Sequence, residues 1–289
     1  MKRFFLISTE HLENALWFRD EEDFIAGMNY VAIVAFAHKN VVVLAFILMS
    51  NHVHFVVYGE LEDVKKFIRD FTARYSKYYG KRYGVKNFLR RNDIDIRELR
   101  IETDDVKKAV AYVLMNCVAA NICSHPSQYP WCSGNVAFQV VKPVGTKLGD
   151  YSARKLRSIL HSAESFLPKN WLISEQGYIL PQNYIPAESL EKLFRTPHGM
   201  NYFFNSSSKA KKNLSPDDNL PAFTDQTICH ALPELLRNLF RKRSFSELTP
   251  EEQTECLRQI RYRFSADITQ AARTCGISYS EAAKLVDRF

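Results

Sequence analysis

His52 and His54, separated by one residue, are the closest pair among the eight histidines of the sequence. On a strand, residues i and i+2 point to the same face, so the two imidazoles would stand side by side while Val53, Phe55 and Val57 face the other way. That geometry suits one metal ion. It equally suits two structural or surface histidines, because a chain with eight histidines produces a His-x-His readily. Farther on, Lys108, Tyr112 and Asn116 follow at i, i+4 and i+8, a polar stripe beside the apolar positions Val106, Val110, Val113 and Cys117. Asn116 offers a carbonyl oxygen of the kind Mg²⁺ or Mn²⁺ prefers, one turn from a phenol able to attack a phosphate. The competing reading makes Tyr112 a packing aromatic with its hydroxyl satisfied nearby.

Periodicity outlines the elements that must position these groups. Arg3 to Ser8 reads as a strand, and Asp20 opens a helix with Phe24, Met28 and Val31 at helical spacing, ended by His38-Lys39-Asn40. Val41 to Leu48 and His52 to Tyr58 flank Ser50-Asn51 as two antiparallel strands joined by a tight turn. Strand, helix, hairpin opens a ferredoxin-like layer. The expected fold class is therefore α+β, an antiparallel sheet with helices on one face, followed by a mainly helical C-terminal region. A second helix is expected from about Leu61 to Tyr79, broken by Gly80 and Gly84, then a strand from Asp93 to Glu102 and a third helix from Thr103 to about Ala120. After Trp131 the pattern weakens, prolines separate short elements, and Asn205 to Asn219 reads as a mobile polar loop. Three parts follow: 1–140 with the candidate site, 141–240 as a connecting region with no chemical reading, and 241–289 as a helical domain.

Composition narrows the class of function. A 289-residue chain that is 46% hydrophobic can bury a sizeable core, and its net charge of +7 and pI of about 9.0 favour a negatively charged partner, most often nucleic acid. Six cysteines without a CxxC pair argue against a disulfide framework and a thiolate zinc site. The apolar run Phe4 to Ile7 is too short for a signal-peptide core, and Val41 to Met49 is about half a membrane span, so a cytoplasmic protein is expected. Between Lys65 and Arg91, ten basic residues (Lys65, Lys66, Arg69, Arg74, Lys77, Lys81, Arg82, Lys86, Arg90 and Arg91) face one acid, Asp70. Tyr75, Tyr78, Tyr79, Tyr83 and Phe88 are interleaved with them. Phosphate contact and base stacking could share that surface, or it is a solvated basic face over core aromatics. Ile268 to Val286 resembles a helix-turn-helix, with Gly276 at the turn, Ile277 between the helices and Lys284 on the second helix as a DNA contact.

The segment Leu48-Met49-Ser50-Asn51-His52-Val53-His54-Phe55-Val56-Val57 resembles the motif of HUH single-tyrosine transposases, above all REP-associated tyrosine transposases. Ala15-Leu16-Trp17-Phe18, Tyr112 to Ala120, and Tyr129-Pro130-Trp131-Cys132-Ser133 fall in the order of that family, over about residues 1 to 140. The resemblance implies metal ligands His52 and His54, a third ligand Asn116, the nucleophile Tyr112, and Mg²⁺ or Mn²⁺ as cofactor. Lys108 would favour the tyrosinate. It also implies a single-stranded DNA endonuclease and strand transferase acting on hairpin-forming DNA through a 5′-phosphotyrosine. Longer members of the family carry an appended helical domain. Ser50 stands where the family commonly has proline before Asn-His, and Cys117 where it commonly has proline after Asn. Expected partners are single-stranded or hairpin DNA and no membrane, for a nucleoid-associated monomer or homodimer. The alternatives are a non-catalytic, domesticated DNA-binding regulator and a metal-dependent hydrolase unrelated to DNA.

Overall fold

Four apolar stretches pair into one antiparallel sheet in the computed structural model, which describes residues 1–12, 14–86, 88–89, 93–120, 122–141, 143–162, 166–207 and 223–287. The strands β1 (Arg3–Thr9), β2 (Val42–Met49), β3 (His52–Gly59) and β4 (Ile94–Leu99) lie in the order β2-β3-β1-β4. β2 and β3 form the hairpin around Ser50-Asn51, and β3 lies between β1 and β2, a split β-α-β arrangement. β4 is shorter at both ends than the 93–102 stretch expected of it.

The helix α1 (Glu21–Ala37) crosses from β1 to β2 and is capped by Asp20, whose carboxylate accepts from the Asp23 N–H at 3.1 Å. Gly27 lets it lie close to the sheet, since a Cβ there would stand 2.5 Å from Phe18 Cε1 and 3.0 Å from Leu48 Cδ1. The helix α2 (Leu61–Tyr83) runs through Gly80, where a break was expected, and ends at Gly84, which adopts φ 72°. It packs on the face of Val53, Phe55 and Val57, where Phe55 meets Phe67 and Phe71, each with ring centroids 5.5 Å apart. The helix α3 (Asp105–Leu114) takes the other face, where Tyr112 meets His54.

Helices on both faces correct the expectation of one. The cause is visible in β2 and β3, which are buried at nearly every position rather than every second one, so both faces need cover. The single helix expected from Thr103 to Ala120 is also corrected. It stops at Leu114, Met115 adopts φ −77° and ψ 0°, and α4 (Asn116–Ala119) resumes the turn.

Residues 141–207 add a two-stranded ribbon of β5 (Thr146–Lys147) and β6 (Leu172–Ile173) with three short helices, α5 (Ala153–Ile159), α6 (Ala187–Phe194) and α7 (Pro197–Ser206). They share the core of the first layer. The fully buried Asn29 of α1 fixes them there, accepting from the Ile179 N–H at 2.9 Å and donating to the carbonyls of Ile159 and Gly177 at 3.2 and 3.0 Å. Beyond Ser207, the polar stretch expected to be a loop lies outside the described residues.

A second apolar core gathers α8 (Asp225–Phe240), α9 (Pro250–Phe264), α10 (Ile268–Cys275) and α11 (Tyr279–Asp287) around Leu236, Leu257, Ile260, Ala271 and Ala282. Membership of Ile228 and Leu235 in that core sets α8 with the C-terminal helices rather than with the connecting stretch. Gly276, at φ 76°, turns the chain between α10 and α11. Among the described residues, no helix is long and apolar enough to cross a membrane.

Candidate active site

Antiparallel register puts His54 of β3 opposite Ser8 of β1, and both His52 and His54 point to the face that carries α3. They are 5% and 1% exposed. His52 Nδ1 lies 2.8 Å from Asn51 Oδ1, and Asn51 Nδ2 donates to the Leu12 carbonyl at 3.1 Å. The second bond fixes the orientation of the amide, so Oδ1 is the atom facing the ring and His52 Nδ1 carries the proton. Nε2 then holds the lone pair, the atom with which this ring could bind a metal. His54 Nδ1 meets Ser8 Oγ at 3.0 Å, a hydroxyl able to accept in the same way.

A third imidazole joins them. His11, just past the end of β1, stacks on His52 with ring centroids 3.6 Å apart and planes 11° from parallel. Ligand atoms of His11, His52 and His54 lie within 4.8 Å of one another, so the three could hold one metal ion. Local spacing gave no hint of His11, although the register did: Ser8 pairs with His54, and continuing it brings residue 10 opposite His52.

Tyr112 is half-buried on α3, with its ring centroid 5.5 Å from that of His54. Burial lifts its phenol above the ordinary value, and the Arg97 guanidinium on β4 pulls it back. Arg97, unremarked in the sequence, thus acts on the phenol, and Lys108 lines the same cleft. Asn116 is buried at the start of α4, its amide NH₂ donating to the carbonyls of Tyr112 and Val113 at 2.8 and 3.1 Å. That leaves Oδ1 as the Asn116 atom with metal-binding character.

Two clefts border the cluster. One, of about 1030 Å³, is lined by Ser8, Arg97, Arg100, Lys108 and Tyr112, with Tyr202 of α7 in its wall. The other, of about 740 Å³, is lined by His11, Asn51 and His52 and by the C-terminal helices. His54 lies between, its ring contacting those of His52 at 4.7 Å and Tyr112 at 5.5 Å. At the edge of the smaller cleft, Ser50 donates to the Asp225 carboxylate, which Arg273 holds at 2.9 and 3.2 Å. Gln226 adds a bond to the Phe18 carbonyl at 2.7 Å. The Cys117 thiol lies buried against the Leu114 carbonyl, where the helix is interrupted.

The basic residues read as a DNA surface divide. Lys65 pairs with Glu62, Lys66 with Asp63 and Arg74 with Asp70. Arg82 is a strut rather than a surface group, reaching Asp20, Glu22 and the fully buried Asp23 at 2.8, 2.9 and 2.6 Å. Tyr75, Tyr78 and Tyr79 face the core and Tyr79 stacks on Phe88 at 3.7 Å, so they form no stacking platform, which corrects that expectation. Arg69, Lys77, Lys81 and Lys86 are exposed, but α2 occupies the sheet face away from the histidines. Arg90 and Arg91 lie outside the described residues. Lys284 is exposed on α11.

No family model matches the chain, and no curated protein matches it either. Among solved structures, a REP-associated tyrosine transposase bound to a REP hairpin is similar, with a TM-score of 0.37 and 14% identity, over 60% of this chain and 93% of that one. The chemistry of this chain rests on its own residues.

Proposed function

We propose that the chain is a metal-dependent enzyme that nicks and rejoins single-stranded, hairpin-forming DNA, with Tyr112 as nucleophile and His11, His52 and His54 as metal ligands. The observation that carries this reading is the contact between the Tyr112 ring and His54, one member of the three-imidazole group. A bound divalent ion would offset the charge that builds on the oxygens of the scissile phosphate. Three imidazoles are softer than the oxygen donors Mg²⁺ demands, so Mn²⁺ fits this set better; the family resemblance would add Asn116 Oδ1 as an oxygen ligand.

A phenol with a pKa of about 10 is a poor nucleophile at neutral pH. Arg97 favours its anion against the effect of burial, and Lys108, in the same cleft, contacts the phosphate. Tyr112 Oη bonds to phosphorus as the bond from phosphorus to the 3′-oxygen breaks. The phenol loses a proton and the departing oxygen gains one, so the step is proton-neutral. The resulting 5′-phosphotyrosine keeps the energy of the phosphodiester, and a second 3′-hydroxyl can reverse the step without ATP. Because Tyr112 opens to one cleft and His11 and His52 to the other, the strand crosses over His54.

Incubation with hairpin-bearing oligonucleotides and Mn²⁺ should yield a denaturation-resistant protein–DNA adduct, lost in Tyr112→Phe while binding persists. An adduct that survives Tyr112→Phe rejects the nucleophile. Binding without any adduct favours the non-catalytic regulator, and absence of binding favours the unrelated hydrolase.

A further inference from the structure

We infer that the C-terminal helices complete the substrate cleft beside the histidines, and that this cleft receives unpaired nucleobases next to the scissile phosphate. The inference rests on the nicking reading above. The smaller cleft has His11, Asn51 and His52 on one wall, and Asp267, Gln270 and Arg273 of the second core on another. Its 740 Å³ falls within the range of about 300–1,000 Å³ typical of small-ligand sites.

The chemistry of its walls selects bases over phosphates. Glu21, Asp225 and Asp267 supply more carboxylates than Arg273 can offset, and Arg273 is itself committed to Asp225. Away from the metal ligands, that wall would repel a run of phosphates. Beside the hydroxyls of Ser50, Thr224 and Ser265, the uncharged lining carries the amides of Gln128, Gln226 and Gln270, and an amide is a side chain that pairs with base edges. Each amide is oriented by a bond at one end: Gln226 Nε2 donates to the Phe18 carbonyl at 2.7 Å and Gln270 Nε2 to the Phe223 carbonyl at 2.8 Å. Gln128 is held the other way round, its Oε1 accepting from the Ser124 N–H at 3.0 Å. Two acceptor ends and one donor end are thereby set at a cleft that also has Trp131 in its wall. An oriented amide with an aromatic neighbour is the equipment for reading an unstacked base.

The unit is held in place by a buried charge. Asp225, 4% exposed, takes both the Ser50 hydroxyl from the β2–β3 turn and the Arg273 guanidinium from α10. The wall that carries Gln270 is therefore fixed directly to the turn that leads into His52.

Selection for binding tests this without depending on Tyr112. Full-length protein is mixed with Mn²⁺ and a pool of hairpin oligonucleotides randomised in the unpaired nucleotides flanking the stem, and the bound fraction is sequenced. The wild type should enrich particular bases at consecutive unpaired positions, and Gln270→Ala should reduce enrichment at one position at least fivefold. Gln226→Ala should do so at a neighbouring position, while Gln259→Ala on α9 leaves the profile unchanged. An unskewed bound pool, or a skew unaltered in both cleft variants, overturns the inference. Covalent adduct formation, followed in parallel, separates the two claims: a base skew without adduct sinks the nicking reading alone, and an adduct with an unaltered skew sinks the cleft alone.

Discussion

The two faces of the central sheet carry different kinds of work. One face presents Val53, Phe55 and Val57 to α1 and α2, and its charges, Arg82 with Asp20, Glu22 and Asp23, close a structural network. The other presents His52, His54 and Ser8 to Tyr112, with Arg97 near its phenol. A strand reverses its side chains at every residue, so a single β3 sends apolar packing to one side and imidazoles to the other. The most basic segment of the chain lies with the packing face. Density of charge along a sequence thus says little about where a substrate sits until the sheet face is known.

Substitutions on the two faces should fail in different ways. His52→Ala and His54→Ala should each abolish adduct formation and tight Mn²⁺ binding, checked by titration calorimetry and denaturing gels, with a melting temperature near that of the wild type. Loss of folding instead would move these histidines into the structural class. Phe55→Ala, on the opposite face, should cost about 3–5 kcal/mol in denaturant unfolding and leave metal binding intact wherever the protein stays folded.

Arg82→Ala should cost on the order of 2–3 kcal/mol, because it strands the buried Asp23 carboxylate near Asp20. Burial raises the Asp23 pKa, with Asp20 adding to the rise. A raised carboxylate favours the fold at low pH and loses that contribution as pH climbs through its folded value. The deficit of Arg82→Ala should accordingly shrink on going from pH 7 to about pH 4; a constant deficit by thermal unfolding would remove Asp23 as the cause. His11→Ala, which removes one of the three imidazoles, should weaken Mn²⁺ binding by at least the roughly 10–100-fold that loss of an outer-shell partner costs at a metal site. Replacing Lys66, Arg69, Lys77 and Lys81 together by Gln should have the smallest effect on chemistry. It should flatten the salt dependence of DNA binding, with adduct rate at saturating DNA unchanged.

Local patterns exposed much of this architecture. Ser50-Asn51 between two apolar runs marked the hairpin, and the His-x-His spacing within it placed both rings on one face. What stayed hidden depends on contacts between distant segments. No periodicity tells which sheet face α3 takes, and the rings of Tyr75, Tyr78 and Tyr79 turn inward only because α2 has α1 and the sheet beneath it. His11 escaped because its neighbour is set by strand pairing rather than by chain distance. Arg82 looked like a surface cation because its acids lie in another helix.

Ser50 has an evolutionary consequence. Its hydroxyl is the donor to Asp225, whose charge is in turn met by Arg273. A proline at position 50 would match the common HUH pattern yet offer nothing to that carboxylate, and loss of Arg273 would leave a buried anion beside the turn. The three positions should therefore vary as a set: relatives with proline at position 50 are expected to lack the acid and the arginine as well, and with them the docking of the C-terminal helices.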